Sequence, residues 1–113
     1  MSKGSMRDAQ RIFYKILNGE IGRKEGLESI LKIANKKILK GYYFGVRGLL
    51  TKQDTDHYSL KFKELKVRDI NYLLNKFEQY VNFKFTNEFD KGYFYACIDY
   101  LKYLKESRNM KKV

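Results

Sequence analysis

The chain contains no proline and no tryptophan, and has only one cysteine and one histidine in 113 residues. Without proline or a Gly/Ser-rich linker, nothing in the sequence marks an internal domain boundary. The lone Cys97 excludes an intramolecular disulfide and makes a reducing cytoplasm the expected compartment. His57 is too isolated for a Ser/His/Asp or Cys/His nucleophilic site, or for paired zinc ligands. No apolar run approaches the roughly 18 residues that a membrane-spanning helix needs, so no membrane partner is expected. Met1–Arg11 holds no apolar signal core, so no secretion signal is read. Residues 1–5 read as a floppy leader outside the fold, 6–107 as one helical domain, and 108–113 as a basic tail.

Acidic residues are also missing from one long stretch. Between Ser29 and Gln53 stand Lys32, Lys36, Lys37, Lys40, Arg47 and Lys52, with no Asp or Glu. The formal charge of the whole chain is +11. Unneutralised positive charge repels itself, and a polyanion or an acidic partner relieves it. Chain length allows burial of roughly 65% of the unfolded surface, and the 43% hydrophobic content supports a folded core. Ten Tyr and eight Phe supply the aromatics, most of them expected in core and boundary positions.

Helical periodicity dominates. Ile12, Phe13, Ile16 and Leu17 form a stripe over Arg7–Asn18 that stops at Gly19, a helix-ending residue. Leu27, Ile30, Leu31, Ala34 and Ile38 form a second stripe, which predicts one helix closing at Gly41 with Lys36, Lys37 and Lys40 in its last turns. Tyr43, Val46, Leu49 and Leu50 fit a returning helix. Ile70, Leu73, Leu74, Phe77, Tyr80 and Val81 predict another, capped by Asp69 and ending near Asn82. Phe94, Cys97, Ile98, Leu101 and Leu104 define the last. The expected fold is all-α, with four or five short helices packed as antiparallel hairpins. The alternation of Tyr58, Leu60 and Phe62 with polar residues leaves an α+β alternative, with a β-hairpin over residues 42–64.

Lys40-Gly41-Tyr42-Tyr43-Phe44 is echoed by Lys91-Gly92-Tyr93-Phe94-Tyr95, each with a leucine ten positions after the lysine. Each copy resembles the turn and second helix of a tetratricopeptide-type hairpin, which would place the aromatics at the start of a returning helix. The Gly41/Gly45 spacing suggests close helix approach. It is not a phosphate loop, because the preceding strand and the Gly-Lys-Ser/Thr ending are missing.

Lys32, Lys36 and Lys40, spaced four apart, would form a basic stripe opposite the apolar face of their helix. Ordinary solvated faces mix signs, because like charges at that spacing repel. The preferred reading is therefore contact with phosphates by Lys32, Lys36, Lys37, Lys40, Arg47 and Lys52, beside which Tyr42 or Tyr43 could stack on an unpaired base. An acidic protein or plain solvent is the competing occupant. For the aromatics themselves, packing against Tyr93 and Phe94 or self-association is preferred over stacking. Asp54, Asp56 and His57 have metal-ligand character, but their composition is that of a turn or cap. The expectation is thus a non-catalytic nucleic-acid-binding protein without cofactor or metal, with RNA or single-stranded DNA favoured. The alternative is a protein-interaction module, self-associating or binding a partner.

Overall fold

A computed structural model describes residues 5–50 and 66–111, with side chains to 107. Five helices are described: α1 (Met6–Leu17), α2 (Arg23–Ile33), α3 (Lys37–Leu50), α4 (Val67–Asn82) and α5 (Glu88–Lys111). No strand occurs among the described residues, which form an all-α fold. Tyr42–Leu50 lies inside α3, which removes the β-hairpin alternative over that segment. Its other arm, with Lys52, Asp54, Asp56 and His57, lies outside the described residues.

Local chemistry sets most helix ends. Ser5 caps α1, accepting a bond from the Asp8 amide at 3.3 Å while Asp8 accepts from the Ser5 amide at 3.2 Å. Ser5 therefore belongs to the fold, not to a leader, because its hydroxyl satisfies an amide that the first turn leaves without a partner. Gly19, with φ of 78°, turns the chain out of α1 in a conformation that a Cβ disfavours. At α4 the cap is Lys66, and Asp69 stands in the first turn, where its charge faces the positive end of the helix. The Asn87 side-chain Oδ1 accepts from the Asp90 amide at 2.8 Å to start α5. The last helix runs on to Lys111, through most of the segment expected as a tail.

The central correction concerns Gly41. The second apolar stripe is not one helix: α2 ends at Ile33, Ala34 leaves helical geometry, and α3 begins at Lys37. Gly41 sits within α3, and Gly92 sits within α5. They are needed there for approach, not for turning. A methyl group on Gly41 would overlap the Phe89 carbonyl oxygen, and one on Gly92 the Ile38 carbonyl oxygen. The contact is reciprocal, since each glycine meets the carbonyl of the residue three before the other glycine. One turn further on, a Cβ at Gly45 would lie 2.7 Å from the Ala96 methyl. The two helices thus cross while running in the same direction, with small residues at i and i+4 on both. This brings Cα–H groups against carbonyl oxygens across the crossing.

Antiparallel hairpins flank that crossing. The Arg23 guanidinium at the start of α2 donates to the Leu50 carbonyl at the end of α3, at 3.1 Å. Phe77 and Tyr80, late in α4, stack against Phe94, early in α5, with ring centres 5.8 and 5.3 Å apart. α1 lies across α2, α3 and α5, burying Ala9, Phe13 and Ile16. The echo of the two Lys-Gly-aromatic segments is therefore the two halves of a quasi-two-fold helix crossing, and neither is the turn of a tetratricopeptide-type hairpin.

Substitutions at the glycines test this geometry. Gly41→Ala and Gly92→Ala should each destabilise the protein by about 1–3 kcal/mol or more, since backbone must move to admit the methyl. Gly48→Ala, whose methyl would meet only the Tyr93 hydroxyl at 3.9 Å, should be neutral or stabilising by up to about 1 kcal/mol. Urea midpoints read both effects. Equal stability of Gly41→Ala and Gly48→Ala would contradict the crossing.

Candidate nucleic-acid interface

The break between α2 and α3 dissolves the expected lysine stripe. Lys32 is on α2, Lys36 is in the connection, and Lys37 and Lys40 are on the first turn of α3. All four are exposed, as is Arg47 further along α3, but they do not share one helix face. Lys52 lies outside the described residues.

Tyr42 presents no exposed ring face to a base. Its ring is wholly buried, edge-on to Phe13 with centres 6.1 Å apart, and its hydroxyl donates to Asp99 Oδ2 at 2.7 Å. A residue beside Gly41 in mid-helix faces inward at the crossing, where an end-of-helix position would have left it exposed. Tyr43 is half-buried against the core and packs edge-on to Phe44. Among the three consecutive aromatics, Phe44 is the exposed one.

Asp99 is the buried carboxyl of this core, with Gln10 Nε2 donating to its other oxygen at 3.4 Å. Desolvation raises its pKa above the ordinary carboxylate value, outweighing the hydrogen bonds from Tyr42 and Gln10 and the nearby Lys102 charge, which lower it. Tyr42 is raised well above its ordinary value by burial and by the Asp99 charge, so its hydroxyl remains a donor. Tyr14 is pushed up to about 12 by burial, then by Asp99 and Glu106. At the equivalent place in the other half, the Tyr93 hydroxyl points towards Gly48, so Asp99 is where the quasi-symmetry is broken.

The crossing instead assembles a different basic site. Because α3 and α5 run in the same direction, their starts lie together. There, a cleft of about 740 Å³ is lined by Lys37 of α3, Lys84 of the α4–α5 connection and Lys91 of α5, with Thr86, Asn87, Glu88 and Phe89. Glu88 pairs with Lys91 at 3.8 Å, so lysines outnumber the carboxylate in the cleft by three to one. This ion pair is exposed and worth about 0–1 kcal/mol, little obstacle to an incoming phosphate. Phe89 lies 5.7 Å from Phe44, ring centre to ring centre, which joins the aromatic of the first half to the cleft. Lys84 Nζ also sits 5.8 Å from the centre of the exposed Phe85 ring.

Of the residues that line this cleft, the sequence pattern singled out Lys37 but not Lys84, Phe89 or, as a basic site, Lys91. The available signal was the echo itself, since the pairing of Gly41 with Gly92 brings Lys37 and Lys91 to the same end. Among the described residues there is no group of three or more His, Cys, Asp or Glu side chains placed to hold a metal, and no helix long and apolar enough to cross a membrane. Cys97 is buried, as its place on an apolar helix face implies. The chain matches no family model, no curated protein and no solved structure.

Asp99 generates a pH prediction. Its unfolded pKa is about 3.9, and its folded pKa is higher, so between the two the folded state holds the proton more tightly. Its contribution to stability is therefore greatest below the unfolded value, falls as pH rises through the window up to the folded value, and is constant above it. Urea unfolding from about pH 4 to 7 should give a smaller downward slope for Asp99→Asn than for the wild type. Superimposable profiles would contradict the burial of an ionisable group there.

Proposed function

We propose that the protein is a non-catalytic nucleic-acid-binding protein, or a small basic subunit of a nucleoprotein complex. It would engage the phosphate backbone through the cleft at the joined starts of α3 and α5. The observation that carries this reading is the convergence of Lys37, Lys84 and Lys91, drawn from separate parts of the chain, on one cleft. Like charges gathered by folding repel one another, and a polyanion offsets that cost while releasing its condensed counterions. Lys36, Lys40 and Arg47 lie on the same half of the chain as Lys37 and would extend the field that steers a polyanion towards the cleft.

A second reading, a helical module that docks a protein partner or a second copy of itself, draws on the exposed Tyr72 and Tyr80 of α4. Charge and ring substitutions separate the two. Loss of binding on Tyr72→Ala, with no effect from lysine reversal, would favour the protein partner.

Salt dependence tests the main reading. Three phosphate contacts should lower affinity for an oligonucleotide at least about ten-fold between roughly 50 and 300 mM salt. Lys37→Glu with Lys84→Glu should flatten the dependence of log K on log salt by about 1.4–1.8. Fluorescence anisotropy with a labelled oligonucleotide measures both. Salt-independent affinity, or a slope unchanged in the double variant, would contradict the assignment.

A further inference from the structure

We infer that the cleft takes a single strand rather than a duplex, with a base stacked on Phe85 while Lys84 holds the adjoining phosphate. This rests on the nucleic-acid reading above and adds the class of strand. Phe85 is the most exposed large hydrophobic side chain described, at 79%, and Phe83 beside it is 56% exposed. The two rings meet edge-on with centres 5.7 Å apart, so together they form an aromatic ledge.

The ledge is held in place. The Thr86 hydroxyl donates to the Tyr80 carbonyl at 2.7 Å, the Phe83 amide donates to that same carbonyl at 3.2 Å, and the Thr86 amide donates to the Phe83 carbonyl at 3.1 Å. These bonds fix both ends of Phe83-Lys84-Phe85, so the rings project from a tied turn. A ring already held outward loses little freedom when a base covers it.

Charge complementarity selects the occupant. Lys84 is shared, because it lines the cleft and its ammonium sits over the Phe85 ring. A ligand bridging these two features needs an anion and a flat apolar face one short link apart, as a nucleotide of an unpaired strand provides. In a duplex the bases stack on each other and present phosphates without a free face, so only the lysines would be used. Phe89, which lines the cleft and packs against Phe44, offers a second ring for a neighbouring base. Sequence preference is not built into this arrangement, since every base has a face to stack.

The test compares a fluorescein-labelled 12-nucleotide single strand (dT and U versions) with a 12-base-pair duplex, using the full chain in anisotropy titrations at low salt. The wild type should bind the single strands more tightly than the duplex. Phe85→Ala should weaken single-strand binding about 5- to 150-fold, as loss of one stacked base implies, while duplex affinity and salt slope stay unchanged. Phe85→Tyr should retain single-strand affinity, and circular dichroism should show both variants folded. Wild-type preference for duplex, or single-strand binding insensitive to Phe85→Ala, overturns this inference while leaving the phosphate-binding reading intact. Failure of the wild type to bind either nucleic acid at low salt overturns both.

Discussion

The reciprocal contact of Gly41 with Phe89 and of Gly92 with Ile38 is the constraint from which the rest of the arrangement follows. Two helix backbones cannot approach so closely if either carries a Cβ at the crossing. Glycine within a helix costs up to about 1 kcal/mol relative to alanine, and α3 bears that cost three times, at Gly41, Gly45 and Gly48. The return is a crossing tight enough to fix the direction and register of α3 against α5. Once these are set, each helix can carry its own antiparallel partner, α2 on one side and α4 on the other, and α1 closes the remaining apolar surface. The wholly buried Phe13, Ile30, Leu39, Tyr42, Val46, Ile70 and Leu101 come from all five described helices.

The same crossing explains how structure leads to the proposed function. Parallel helices that cross near their starts bring two chain segments, far apart in sequence, to one end of the molecule. Lys37 and Phe44 arrive from one half, and Lys84, Phe85, Phe89 and Lys91 from the other. The halves are not equivalent. Where the first half has Gly48, the second has Asp99, which receives the Tyr42 hydroxyl and the Gln10 amide. A buried carboxyl with two donors specifies one arrangement of α1, α3 and α5. Its raised pKa reflects a desolvation cost that these hydrogen bonds only partly offset.

Much of the architecture was legible in the residue pattern, because the apolar stripes of α1, α4 and α5 repeat with the helical period. The all-α class, the end of α1 just before Gly19 and the end of α4 at Asn82 follow from local rules. The boundary between α2 and α3 did not. Ala34 and Ile38 continue the stripe of α2, and Asn35-Lys36 carries no proline or glycine to announce a break. Gly41, a residue that ordinarily ends helices, was misread for the complementary reason: its role depends on a neighbour fifty residues away in the chain. That one displacement moved Tyr42 from a helix end into the core and scattered Lys32, Lys36 and Lys40 over three elements. The basic cleft was illegible for a similar reason, since no local pattern joins Lys37 to Lys84 and Lys91.

In the proposed function the interface is assembled across the crossing, not laid out along the contiguous basic stretch from Ser29 to Gln53. Backbone amide chemical-shift mapping during titration with a short single-stranded oligonucleotide tests it most directly. An interface across the crossing should give simultaneous perturbation of Lys37 and Phe44 on α3 and of Lys84, Phe85, Phe89 and Lys91 around the start of α5, saturating with one affinity. Perturbations confined to residues 29–53, with 84–91 unmoved, would contradict it.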